Sequence, residues 1–248
     1  MRLEVIGLEG IPEVRPGDDL AALLFGAAEA DGGLRDGDIL VIAQKIVSKA
    51  ENRFVSLADA RPDARAERIA AQCDKDPRQV AVILSETDEV VRHRQGVMIV
   101  RHRLGHVLAN AGIDASNVPA GDQGERVLLL PEDPDASAER IRSAAPADIG
   151  VIINDSPGRA WRVGSVGIAI GVAGVASVLD LRGRIDRDGR EMQASDLAVA
   201  DEIAAAASIV MGQAAEGIPA AIVRGAERFL GEGSARDLVR ESGMDLFR

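Results

Sequence analysis

The sequence predicts an α/β (mixed α+β) fold, and three observations carry that expectation. Short aliphatic runs of strand length recur between segments with helical spacing, the pattern of strands packed under helices. Glycine, proline and aspartate mark the junctions, as at Asp36-Gly37-Asp38 and Gly217-Ile218-Pro219, where turn geometry is needed. One long stretch, Ser195 to Met211, sets Leu197, Ala200, Ala204, Ala207 and Met211 on a single face, the stripe that a sheet covers.

In chain order, Leu20 to Ala30 reads as the first helix and Ile39 to Ala43, after the Asp-Gly-Asp turn, as a strand. Ala64 to Cys73 is helical, with Cys73 on its apolar side as a small buried hydrophobe. Val80 to Leu84 and Val97 to Val100 read as strands, Arg103 to Ala111 as a helix, and Val127 to Leu130 as a strand. The helix Ser137 to Ala145 then precedes strands at Ile149 to Ile153 and Val166 to Ile170. Asp188-Gly189 marks a tight hairpin turn in a charge-dense segment, Asp180 to Glu191. Ser195 is placed to cap the long helix, and Ala220 to Val223 is the last strand. Repeats and linker-like tracts are absent, so residues 1–248 read as one unit.

Composition narrows the function classes. A net charge of −11 argues against nonspecific nucleic-acid or anionic-membrane binding, which needs a positive footprint. Four Phe, one Trp and no Tyr leave few stacking platforms for single strands. One cysteine excludes an intramolecular disulfide and a thiolate zinc site. No apolar run reaches a bilayer-spanning length and the N-terminus lacks a signal-peptide pattern, so a cytoplasmic location is expected.

Two segments carry the chemistry: His106 to Asn117, containing Asn110-Ala111-Gly112-Ile113-Asp114, and Val151 to Arg159, containing Asn154-Asp155-Ser156. Each sets an aspartate among amide and hydroxyl oxygens, the hard donors that suit Mg²⁺ or Mn²⁺ shared with phosphates. The plainer alternative makes Asp114 and Asp155 turn residues capping their own backbone. Gln44-Lys45-Ile46-Val47-Ser48-Lys49 follows a strand, so Lys45 and Lys49 either meet a phosphate or start a solvated helix. Gly10 to Gly17 forms a proline-stiffened loop, and Gln213 and Glu216 lie three apart after the long helix. Arg182, Arg184 and Arg190 read as a self-paired hairpin in preference to an anion site. His102 and His106, four apart, fit one helix face, with a structural role favoured over a metal. Walker and dinucleotide-binding glycine motifs are missing.

In order along the chain, these segments resemble the coenzyme F420-0:γ-glutamyl ligase family. The carrying fragments are Gly10-Ile11-Pro12-Glu13, Gly37-Asp38, Gln44 to Lys49, Asn110 to Asn117, Asn154 to Arg159, Trp161-Arg162, Asp180 to Arg190, Ala200 to Ala204 and Met211-Gly212-Gln213. Each is weak alone; their order is specific. The resemblance implies that Ile11, Pro12, Glu13 and Val14 border a guanine nucleotide, with Gln44, Lys45, Lys49 and Asn117 around it. It implies Asp114 and Asp155 as ligands of one divalent ion, Ser156 at a second, and Gln213 completing the nucleotide or metal shell. Lys49 joins the two aspartates in the expected catalytic set. The expected ions are two of Mg²⁺ or Mn²⁺, with K⁺ a further candidate. The implied fold is a family-specific α/β arrangement in an intertwined homodimer, of two interleaved lobes, without a C-terminal flavin-reductase-like domain. The implied reaction is GTP-dependent addition of L-glutamate to coenzyme F420-0 through an acyl phosphate. A GTP-dependent ligase for another small acid is the second reading, and a non-catalytic nucleotide-binding regulator the third.

Overall fold

In the computed structural model, which describes residues 2–114, 125–158 and 162–245, the aliphatic runs build a five-stranded sheet. The elements begin with β1 (Glu4–Gly7), α1 (Leu20–Ala28), β2 (Ile39–Ala43), α2 (Gln44–Ala50), β3 (Phe54–Ser56), α3 (Ala64–Cys73), α4 (Pro77–Ser85), β4 (Thr87–Arg94) and β5 (Val97–His102). They continue with β6 (Val107–Ala109), β7 (Arg126–Leu128), α5 (Pro134–Ser143), β8 (Gly150–Asp155), β9 (Ile168–Ala173), β10 (Leu179–Asp180), β11 (Asp196–Leu197), α6 (Val199–Met211) and β12 (Ala220–Arg224).

The large sheet runs β1-β12-β2-β8-β9, with β2 and β8 parallel and the other neighbours antiparallel. Its three inner strands are covered on both faces, which is why their sequences are continuously apolar. Leu40, Ile42, Val151, Ile153 and Ile222 face α1, α2 and α5. Their neighbours Ile39, Val41, Ile152, Ala221 and Val223 face α6 on the other side. A second body of packing joins α3 and α4 to the three-stranded sheet β4-β5-β6. Strands β3 and β7 pair beside it. The mixed α/β class is as expected, and Cys73 is fully buried.

Several local readings are corrected. Val80 to Leu84 lies in helix α4, because Asp76 caps it by accepting the Arg78 N–H and Pro77 takes the first turn. Arg103 to Ala111 is a turn followed by β6, with no helix. Gly105 (φ 92°) breaks the segment, Val107 to Ala109 pairs with Ile99 to Arg101, and Asn110 and Ala111 adopt left-handed conformations. His102 and His106 therefore do not share a helix face. Ser195 does not cap α6, because residues 196–197 pair with 179–180 first and the helix starts at Val199 after Ala198. Strand β9 begins at Ile168 and α5 at Pro134 after its Asp133 cap. The first helix gives way to a 3₁₀ turn at Glu29–Asp31.

Glu86 ties the two bodies together. Its Oε2 lies 3.1 Å from Arg103 Nε, 3.3 Å from Arg53 Nη2 and 3.3 Å from His102 Nε2. His102 Nδ1 accepts the Leu104 N–H at 3.0 Å, which leaves Nε2 on the carboxylate side of the ring. Burial pushes the Glu86 carboxyl up, but the His102, Arg103 and Arg53 contacts outweigh it and hold it below the usual glutamate range. The linked stability is present above glutamate's ordinary value and is lost as pH falls through the lower folded value. Glu86→Gln should cost about 2 kcal/mol, less than a fully buried pair because the arginines keep some solvent. Thermal melts check this: the gap between variant and wild type should be open at pH 7 and narrow in acid.

Candidate functional site

The site forms where β2 and β8, parallel neighbours, deliver their C-terminal ends side by side, the usual position for ligand groups on such sheets. Strand β2 passes straight into α2 at Gln44. Lys45 and Lys49, four apart, share a face of that helix. The segment does start a helix, and that helix turns both lysines to the cavity. Ser48 Oγ donates to Gln44 Oε1 at 3.1 Å and fixes that buried side chain.

Strand alternation separates the functional groups at the end of β8. Asn154 points to α6, where its Nδ2 donates to Ser208 Oγ at 3.0 Å. Ser156 Oγ donates to Gln213 Oε1 at 2.7 Å. Asp155 interacts with Lys45 and Asp114. Gln213 is carried by the loop that ends α6, and Gly212 (φ 71°) permits that loop because a Cβ there would lie 2.2 Å from Glu216 Cδ. Glu216 accepts the Ala214 N–H at 2.7 Å and so braces the loop.

Asp114 arrives from the other body of packing. The left-handed turn at Asn110–Gly112 redirects the chain after β6. Backbone bonds in both directions with Leu128, at 3.0 and 2.9 Å, then hold Asp114. Its Oδ2 meets Lys45 Nζ at 2.7 Å. Lys49 Nζ lies 3.7 Å from Glu13 Oε1.

A cavity of about 330 Å³ gathers these parts. Ile11, Pro12, Glu13 and Val14 form one wall; Gln44, Lys45 and Lys49 form a second; Asp155, Ser156 and Gln213 close it. Asp114 adjoins through Lys45 and is not itself in the wall. Asn117 lies outside the described residues, as do Arg159 and Trp161. Burial is the largest influence on Asp155 and pushes its carboxyl up; Asp114 adds to this, while Lys45 and the Ser156 N–H oppose it.

This donor set has the chemistry a hard divalent cation would use. Two carboxylates of like charge converge near a cavity, and a hydroxyl and an amide oxygen stand beside them. Among the described residues no group of three or more His, Cys, Asp or Glu is arranged for a metal. The remaining ligands would thus be neutral oxygens, water and phosphate, a habit of Mg²⁺ and its like.

Asn154 and Glu216 also line the cavity. Asn154 went unread as a site residue although its signal was available: a polar amide ending an otherwise apolar strand. In the arginine hairpin, Arg182 pairs with Asp180 at 2.7 Å.

The sequence matches the family described as F420-0:Gamma-glutamyl ligase over residues 10–225. It is 45% identical to the coenzyme F420:L-glutamate ligase of Methanothermobacter thermautotrophicus over 255 residues, covering all of both chains. The enzyme of the same name from Methanopyrus kandleri is 46% identical, covering all of this chain and 98% of the relative. That of Archaeoglobus fulgidus is 42% identical, covering all of this chain and 97% of the relative. With a match of this extent running from the Gly10 loop through the last strand of the sheet, the chain belongs to the F420-0:γ-glutamyl ligase family.

Proposed function

We propose that this protein is a ligase that joins L-glutamate to coenzyme F420-0 at the expense of GTP, releasing GDP and phosphate. The observation that carries the reading is the convergence of Asp155, Ser156, Gln213, Lys45 and Lys49 on one cavity, in a chain whose curated relatives bear the name coenzyme F420:L-glutamate ligase.

A carboxylate is a poor acyl donor because its leaving group would be oxide. Phosphorylation removes that obstacle. In the proposed first step an oxygen of the acceptor carboxylate attacks the γ-phosphorus of GTP, the bond to the β-phosphate oxygen breaks, and an acyl phosphate and GDP form. In the second the glutamate amine attacks the acyl carbon, loses a proton, and expels phosphate as the amide forms. Such chemistry depends on positioning and charge neutralisation more than on covalent help.

The chain's residues divide that work. Lys45 and Lys49 bring compact positive charge to the phosphates from one helix face. The Ile11–Val14 wall borders the nucleotide base. Asp114 and Asp155 would hold one divalent cation, and Ser156 with Gln213 a second, which when bound supply charge neutralisation at the phosphate oxygens. The Ser156–Gln213 hydrogen bond keeps strand end and loop in register for that purpose. Homodimer formation, which the resemblance implies, belongs to the same proposal.

Isotope transfer tests the intermediate. With ¹⁸O in the acceptor carboxylate, the acyl-phosphate route delivers one labelled oxygen to the released phosphate. Unlabelled phosphate alongside amide product would exclude that route. GDP formation should also require acceptor; binding of GTP with no GDP under any acceptor would instead describe a regulator.

A further inference from the structure

We propose that the cleft between the β5–β6 turn and residues 235–245 binds the acceptor of the ligation, as an organic acid with carboxylate or phosphate groups on an apolar body. The assignment rests on the ligase reading above and adds to it a location for the substrate that the nucleotide cavity does not provide.

The cleft has a volume of about 640 Å³, within the range of small-molecule sites. Register places it beside the reacting end of the sheet. Ile168 lines the cleft and is the direct antiparallel partner of Asp155, and opposed residues of a pair project to the same face. On the other wall, Leu108 belongs to the strand whose continuation delivers Asp114 six residues later. The cleft therefore touches the strand that precedes Asp114 and, at Ile168, the strand paired with the one that ends in Asp155.

Its chemistry is that of an anion site with an apolar floor. Leu104, Ile168 and Leu238 supply the floor, and Arg101, Arg103, Arg236 and Arg240 stand around it. Two of these are committed: Arg101 lies 3.4 Å from Glu89, and Arg103 is held by Glu86 and the Glu132 carbonyl. Arg236 and Arg240 form no ion pair among the described residues. The Ser234–Asp237 capping box fixes the turn that carries Arg236. Asp88, Glu241 and Asp245 share the rim, so recognition would come from planar guanidinium forks matched to carboxylate or phosphate, and not from a uniformly positive field.

Steady-state kinetics of the full chain test this. Arg236→Ala and Arg240→Ala should each raise KM for F420-0 about tenfold, the scale of a lost charge-assisted hydrogen bond. KM for GTP and the melting temperature should stay at wild-type values. An unchanged KM for F420-0 in the double variant would overturn the assignment. So would a change in sedimentation with unchanged KM, which would make the cleft a contact between copies. If the wild type forms no amide at all, the ligase reading fails separately. Equilibrium binding of F420-0 to wild type and double variant, measured by ultrafiltration, still decides the cleft: weaker binding by the variant supports it, equal binding overturns it.

Discussion

Asp155→Asn is expected to reduce glutamyl transfer by about a thousandfold or more, the scale associated with losing a charge that organises phosphoryl transfer. The fold should survive. Asp155 ends β8, where its backbone is fixed by pairing with Ile168, and asparagine keeps the shape. Stability should even rise a little, because the wild-type carboxylate is disfavoured first by burial and then by Asp114, and the neutral amide removes both effects. The check is a pair of measurements on one preparation, turnover and a thermal melt. Activity near wild type would remove Asp155 from the reaction. A collapsed melt would show that the residue is structural instead.

Arg224→Met should produce the largest loss of stability, about 3–5 kcal/mol. Arg224 clamps Asp38 through Nε and Nη2, at 2.9 and 2.8 Å, and Asp38 is 1% exposed. Losing the cation strands a carboxylate with little water to solvate it. That is a large fraction of the 5–15 kcal/mol typical of a domain. The pair also bridges the end of β12 to the start of β2, whose far end delivers Gln44 and Lys45. Denaturant unfolding should show a lowered midpoint, and Asp38→Asn in the same chain should restore much of it. A loss below about 1 kcal/mol, the range of an exposed pair, would show that the clamp is solvated.

The sheet was legible wherever a strand is buried on both faces, because burial forces unbroken aliphatic runs. Ile39–Ala43 and Ala220–Val223 are of this kind. The same criterion misled at Val80 to Leu84, an apolar run that is one side of a short helix; Asp76-Pro77 ahead of it was the sequence signal for a helix start. Strand β4 was missed because its exposed edge makes it polar, as Arg92, His93 and Arg94 illustrate. The segment before Asp114 resisted local reading for a different reason. Its helical spacing is overridden by pairing with β5 and by left-handed residues at Asn110 and Ala111, and tertiary contacts decide such conformations.

The candidate site was legible in its residue types and not in its assembly. Lysines four apart and an aspartate closing an apolar strand can be read directly. That Asp114 would reach Lys45 from another body of packing depends on its backbone pairing with Leu128, which no local pattern encodes. The Ser156–Gln213 bond joins residues 57 apart in the chain and likewise depends on how α6 lies against β8.

The most direct measurement is mass spectrometry of F420-0 incubated with the protein, L-glutamate, GTP and Mn²⁺, beside the same mixture without GTP. A gain of one or more glutamyl units only in the presence of GTP is the predicted result. No gain with folded protein that still binds GTP, or the same gain without GTP, would contradict GTP-dependent glutamyl ligation.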